Sequence, residues 1–460
     1  MILTSFFTRT ALATGVLLSG TTMLFADTPD DEIRVLRQQI QQLDQKLRVL
    51  ERKQELKEEE AAVAAKAAPK VTINDKGVSL ASNDNANSIK FRAVIQADSR
   101  SFFAHDGSPN NTTFLARKLR PILEGTFSKF IDYQIVPDFA GSGFTLLDAS
   151  ITVKLAPELQ FKFGKFKTPV GLELLVSDPW LLFVERSLAT NLVPNRDVGV
   201  QVGGDLWAGR LSYQVGVFNG ISDGGVSTNA DFDNNKDIAA RLFAKPFVTD
   251  KDSLLQGLGF GVALTSGHQE SAAALTTGYR TDGQQTFFRY RAAVVGSGSL
   301  WRISPQAYYF KGPFGLFAEY VESVANARPT ATGARTELRH KAWEASASYV
   351  LTGEDTSYTA GVTPLKPFDL AAGTWGAWEV AARIGSLNID DKAFPLFADP
   401  LTNATEAKSY GLGVNWYLTR TLKASVDYFQ TDFKLPAASS TNTLLQQDEK
   451  VLITRVQLAF

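Results

Sequence analysis

The sequence predicts an all-β chain: a transmembrane antiparallel β-barrel of about 16 strands, or 18, preceded by an N-terminal periplasmic coiled-coil helix. Three observations carry that expectation. The last ten residues, VLITRVQLAF, put Leu452, Thr454, Val456, Leu458 and Phe460 on one face of a strand and Ile453, Arg455, Gln457 and Ala459 on the other. Such alternation, with an aromatic at the end of the apolar face, is how the closing strand of an outer-membrane barrel reads. Residues 1–26 read as a secretory signal peptide: basic Arg9, the apolar run Ala11–Gly20, and Ala26 at the cut. Beyond it, no stretch approaches the roughly 18 apolar residues that a membrane-spanning helix needs, so a membrane-embedded chain must cross with strands.

Between the leader and the strands the period changes. Ile33, Leu36, Ile40, Leu43, Leu47 and Leu50 recur at alternating spacings of three and four, flanked by Arg37, Asp44 and Glu51 on one side and Gln39, Lys46 and Lys53 on the other. This is a coiled-coil seam over 27–60, and a lone amphipathic helix lying on its own protein has the same pattern. Residues 61–87 begin Ala-rich, pass Pro69, and read as a linker.

The barrel is expected over 88–460. Its first strand sets Ile89, Phe91, Ala93, Ile95 and Ala97 against Lys90, Arg92, Gln96, Asp98 and Arg100. Lys118, Arg120 and Glu124 alternate with Leu119 and Leu123. Glu379 and Arg383 alternate with Trp378, Val380, Ala382 and Ile384. Charged residues on an inward face have no place in a dry core and imply water inside. About seventeen candidate strands lie between Lys90 and Phe460; because a single-chain bacterial barrel needs an even number, sixteen or eighteen are expected, either wide enough for an aqueous channel. Asn219–Lys236, Ser266–Thr286 and Gly353–Thr374 are long enough for extracellular loops, and Leu155–Glu158 and Thr419–Thr421 suit tight periplasmic turns. One connection, 167–196, holds Pro169, Pro179 and Pro194, is too apolar for a solvent loop and too broken for a strand, and is expected to fold inward and narrow the pore; two further strands are its alternative.

Composition excludes more than it assigns. The formal charge of the 460 residues is −1, which offers nucleic acid nothing, and the absence of cysteine leaves a secreted chain to be held by its strand ladder. Without Arg9 and the ten acids and seven bases of 27–60, the remainder carries about +1. The histidines are His105, His268 and His340, and no segment pairs one recognisably with a nucleophile, so no enzyme and no cofactor are expected. Asp231, Asp233, Asn235 and Asp237 have the alternate spacing of a calcium loop. They lack its glycine at position six and its acid at position twelve, and read as a polar hairpin tip rather than a metal site.

An ordered set of segments resembles a known family: ARKLRPILEG (116–125), FGKFKTPVGLE (163–173), Glu185-Arg186, PNRDVGVQVGG (194–204), VFNG (217–220), AARLFAKPF (239–247), SPQAYYFKGPFGLFAEYV (304–321), WEVAARIGSLN (378–388) and GVNWYL (413–418). Together they are similar to the phosphate-selective porin O and P family. The resemblance implies a homotrimeric sixteen-stranded porin of a Gram-negative outer membrane, passing inorganic anions, phosphate foremost, through a basic constriction. It also implies a third loop folded inside, a periplasmic trimeric coil from the N-terminal heptads, contact with outer-membrane lipid, and insertion by the barrel-assembly machinery through Phe460. Arg117, Lys118 and Arg120 match the family's basic cluster on the second strand, with Lys118 where an arginine is commoner; a lysine offers a hydrated point charge instead of a planar fork.

An anion entering a narrow pore loses hydration, and only fixed cationic donors beside its path replace it. Lys90, Arg92, Arg100, Arg117, Lys118, Arg120, Lys165, Lys167, Arg196, Arg241 and Arg383 are the candidate anion-path residues. The alternative is that they pair with Asp98, Glu124, Asp148, Glu173, Asp197 and Glu379, giving the transverse field of a general-diffusion porin. Trp207, Trp301 and Tyr308, if turned to the lumen, would suit sugars instead.

Overall fold

The computed structural model describes residues 29–103, 112–141, 143–271, 275, 278–436 and 448–460; the expected signal peptide and His105 fall outside them. Helix α1 spans Pro29–Ala67 and forms one unit with the residues before Pro69. It is exposed on every described side, the seam included, with Ile33 at 49% and Leu43 at 64%. Arg48 pairs with Asp44 at 3.1 Å one turn away. The helix outlasts the expected 27–60 because its alanine-rich end favours helix until Pro69.

Pro69–Phe460 is the second unit. It opens with a hairpin, β1 (Lys70–Asn74) and β2 (Gly77–Ala81), where the sequence reading placed a linker; the turn Asn74-Asp75-Lys76-Gly77 needs a positive φ at Gly77 and has one, +108°. The strands β3 (Ser88–Phe102), β4 (Thr113–Phe127), β5 (Ile131–Asp138), β6 (Thr145–Ala156), β7 (Leu159–Lys167), β8 (Arg196–Leu206), β9 (Leu211–Phe218), β10 (Asp237–Ala244) and β11 (Leu258–Ser271) follow in antiparallel order. A small hairpin, β12 (Tyr279–Arg280) and β13 (Thr286–Phe288), sits in the next connection. The wall resumes with β14 (Val295–Lys311), β15 (Phe314–Arg328), β16 (Thr336–Val350), β17 (Ala377–Asn388), β18 (Glu406–Tyr417), β19 (Leu422–Lys434) and β20 (Glu449–Ala459). β20 returns to β3, from Val451↔Phe102 to Ala459↔Val94, closing a barrel of sixteen strands. Phe460 completes the seam, exchanging both backbone hydrogen bonds with Ala93 at 3.0 and 3.1 Å. The β1–β2 hairpin adds to the lower half of β3, below the seam, through Val78↔Phe91.

The alternation is that of a lipid-facing wall. Ile89, Ile95, Leu119, Leu123, Leu412, Val414, Val426 and Val456 are exposed outward, while Gln96, Asp98, Lys118, Arg383, Asn415, Asp427 and Arg455 are buried inward. The tightest turns, 157–158 and 312–313, lie at one end, with most long connections at the other, the periplasmic and extracellular ends of a bacterial barrel. Two loop expectations change. β11 continues to Ser271 and carries His268, so the loop expected from Ser266 starts later. The connection 351–376 leaves from the turn end: Val350 and Thr356 donate to Pro313 and Gly312, and Phe368 donates to Leu418. Gly353–Thr374 is therefore on the periplasmic side, which a strand count off by one could not assign.

Candidate functional site

Residues 168–195 lie inside the barrel. They form helix α2 (Leu172–Leu175) and two 3₁₀ turns, Asp178–Trp180 and Leu188–Leu192, short pieces forced by the prolines. One end is packed dry: Val170, Leu174, Leu188 and Leu192 share a core with Phe287, Phe288, Ala342 and Leu387. A buried loop must satisfy its backbone, and the barrel's inward side chains do it. Asn415 donates to Leu182 O (2.8 Å), Lys423 to Leu181 O (2.9 Å), Arg455 to Val184 O (2.8 Å) and Gln457 to Pro179 O (3.1 Å). In the other direction, the Leu172 amide donates to Glu319 (2.7 Å) and the Val184 amide to Asp427 (2.5 Å).

The candidate cations converge on this segment, and most are paired. Arg117 grips Glu185 with both arms, Nε to Oε1 at 2.6 Å and Nη2 to Oε2 at 2.9 Å, and Arg100 reaches Oε1 at 2.7 Å. Lys118 meets Asp178 at 2.7 Å, and Arg120 binds Asp138 at 2.5 Å and Asp178 as well. Arg186, of the inward segment itself, also binds Asp178 (2.6 Å). Burial alone would raise the pKa of Asp178, but Lys118, Arg186 and Arg120 hold its carboxyl well below the usual range; Arg117, Arg455 and Arg100 overcome burial at Glu185 in the same way. Lys90 and Arg92 share Glu124 at 3.4 and 2.6 Å, and Arg196 meets Asp148 at 3.1 Å. Arg383 lies between Glu173 (3.2 Å) and Asp282, its guanidinium 4.5 Å over Phe183.

Three of the eleven lie within ion-pair reach of no carboxylate among the described residues. Lys165 donates to Ser227 O, Lys167 to Leu174 O (2.6 Å) and Val176 O (2.9 Å), and Arg241 to Gln306 (2.9 Å) while stacking 4.4 Å from Phe243. Of the expected carboxylate partners, Glu124, Asp148 and Glu173 take cations from that set. Asp98 takes Arg455 (2.7 Å), Asp197 accepts the Gly220 amide (2.7 Å), and Glu379 accepts the Tyr417 hydroxyl (2.7 Å). Asp178, Glu185 and Asp282, the main partners at the inward segment, were missed because each is 58 to 101 residues from a cation it binds.

Below the inward segment, toward the turn end, a water-accessible space remains. A cleft of about 510 Å³ is lined by Lys76, Lys90, Arg92, Arg120, Lys162, Lys167, Arg196 and Arg420 against Asp75, Asp148 and Asp178. Lys162 was also missed, although it alternates with Phe161 and Phe163 as Arg92 does with its neighbours; its ammonium sits 4.7 Å over Phe166. Thr359 and Ala360 of the 351–376 connection reach the same cleft. Next to them Tyr358 stacks on Tyr308 (4.7 Å) and donates to Leu172 O (2.7 Å), and Gly361, at φ +61°, leaves room for Trp180, which a Cβ would meet at 2.9 Å. Of the three aromatics set aside for sugars, Tyr308 alone turns inward, and Tyr358 covers it. Trp207 is exposed in a turn, and Trp301 shares the outward face with Arg339.

The family model for phosphate-selective porin O and P matches residues 89–460, the whole barrel. The chain belongs to that family. Porin O of Pseudomonas aeruginosa is 27% identical, over 84% of this chain and 91% of its own length. Two solved structures share the architecture: the outer-membrane channel DcaP of Acinetobacter baumannii (TM-score 0.52, 11% identity, 82% of this chain and 98% of that one) and the trimer form of OmpT of Vibrio cholerae (TM-score 0.51, 10% identity, 82% and 100%). As a porin of this family the protein is an outer-membrane channel.

Proposed function

We propose that this porin passes anions by diffusion, with phosphate or polyphosphate the favoured solutes, and that it works as a homotrimer, inserted through Phe460, with α1 in the periplasm. The observation that carries the reading is the cleft: eight Lys or Arg side chains against three Asp side chains line it. A partly dehydrated anion there regains donors that a cation would not find. The candidate anion path runs from the cations around Asp178 and Glu185 to Arg92, Lys162 and Arg196. Each of those two carboxylates is met by more cations than it can neutralise, so the paired cluster keeps a positive excess. The trimer form of OmpT supports the assembly state.

Reversal potential in a KCl gradient across a planar bilayer tests the reading, followed by chloride current as phosphate is added. Chloride preference with block by phosphate is expected. A second reading, a general-diffusion porin, is favoured by the pairing of eight of the eleven candidate cations; it predicts weak selectivity and no block.

A further inference from the structure

The outer face of the barrel near its loop end carries a pattern that diffusion through the lumen does not use. Directly paired residues in a sheet face the same side, so the register sorts the outer surface into rows. One row, Leu316–Ala347–Ala382–Leu412–Tyr428, is apolar from β15 to β19. Further along the same strands toward the loop end the row is Glu322–Lys341–Asn388–Glu406–Lys434, with Lys408 and Lys450 between the two. The border is sharp, and the two sides of it differ in shape as well as charge. Below it, the outward alanines, Ala347 and Ala382 among them, leave a groove of about 860 Å³ edged by Tyr309, Tyr410 and Tyr428.

The charges at the border are unequal in their commitments. Glu322 is engaged by Arg339 and accepts the Tyr320 hydroxyl (3.0 Å), Glu406 accepts the Ser386 hydroxyl (2.9 Å), and Asp432 the Gln430 amide (3.0 Å). Among the described residues, no carboxylate lies within ion-pair distance of Lys341, Lys408, Lys434 or Lys450; Lys408 rests 5.3 Å over Tyr410. Ammonium donors above an apolar groove match a molecule with phosphate at one end and acyl chains at the other. A second protomer fits less well, because it would have to fill the groove and also supply carboxylates to four lysines.

We propose that the outward face of β15–β20 at the loop end binds a phosphate-bearing, multiply acylated glycolipid of the outer leaflet, lipid A in type. Its phosphates lie on Lys341, Lys408, Lys434 and Lys450, and an acyl chain lies in the alanine-floored groove. The inference rests on the outer-membrane orientation of the channel and is independent of what the lumen selects.

Native mass spectrometry of the full-length protein in detergent, with added lipid A or phosphatidylethanolamine, tests it. Wild type is expected to retain lipid A about tenfold better than phosphatidylethanolamine. Lys408→Glu/Lys450→Glu removes that preference, and Ala382→Trp, which fills the groove, lowers retention with subunit number unchanged. Equal retention of both lipids by wild type, or retention indifferent to the variants, overturns the proposal. So does a change of subunit number in the variants, which would mark the face as a protomer contact. If the charge-reversed variant gives no heat-modifiable band on a gel, Lys408→Gln takes its place, with a loss of about threefold expected. Reversal potential on the same sample reports separately on the anion reading.

Discussion

Two stretches of the barrel wall carry inward charges in the same alternating pattern and put them to different use. On β3–β8, Lys90, Arg92, Lys162 and Arg196 border a space open to water, while Arg100, Arg117, Lys118 and Arg120 reach Glu185 and Asp178 of the inward segment. On β15–β20, Glu319, Arg383, Asn415, Asp427 and Arg455 lie under residues 168–195 and bind their backbone or side chains. Arg383 has a side chain only 3% exposed. An inward charge is therefore not by itself a sign of water: what decides is whether another segment covers it. The covered wall is a docking surface whose ion pairs replace hydration, and the uncovered wall is the part a passing ion can feel.

The largest expected break is on the covered side. Arg383→Met leaves Glu173 and Asp282 buried without their cation, which costs about 3–5 kcal/mol and loosens the inward segment. A lower midpoint of heat-modifiability on gels and a larger, noisier single-channel conductance are expected. Next comes the seam between the two walls. Glu185→Gln frees Arg100 and Arg117 from their shared carboxylate, so chloride-to-potassium permeability rises, at a stability cost of about 1–3 kcal/mol. Tyr358→Ala removes the ring stacked on Tyr308 and the hydrogen bond to Leu172 O, and single-channel conductance increases with selectivity nearly unchanged. Smallest in stability but direct in function, Lys162→Gln lowers anion preference while the free energy of unfolding changes by less than about 0.5 kcal/mol. Raising salt from 0.1 to 1 M shrinks wild-type selectivity in the same direction, because the screening length falls from about 10 to about 3 Å.

What the chain reveals before folding follows the same division. Strand alternation is local, so the lipid-facing positions, the closing strand at Phe460 and the broken, proline-rich 167–196 connection could be read directly. The pairing of the cations could not, since Arg117 and Glu185 are far apart in sequence and meet only because 168–195 turns inward. The length of Gly353–Thr374 predicts an extracellular loop, but the side a connection leaves from is set by the parity of the strand count, and it leaves from the turn end. Tyr358 and its contacts went unseen for that reason. Lys162 had the required alternation and was within reach of the sequence.

Reversal potential in a KCl gradient, measured for the wild-type channel beside Lys90→Gln/Arg92→Gln/Lys162→Gln, isolates the uncovered wall, which alone loses charge in the variant. Wild type is expected to prefer chloride, and the triple variant to fall close to the bulk ratio while keeping its conductance and heat-modifiability. A wild-type channel without preference, or a triple variant that keeps the wild-type potential, would contradict this and move the seat of selectivity away from the cleft.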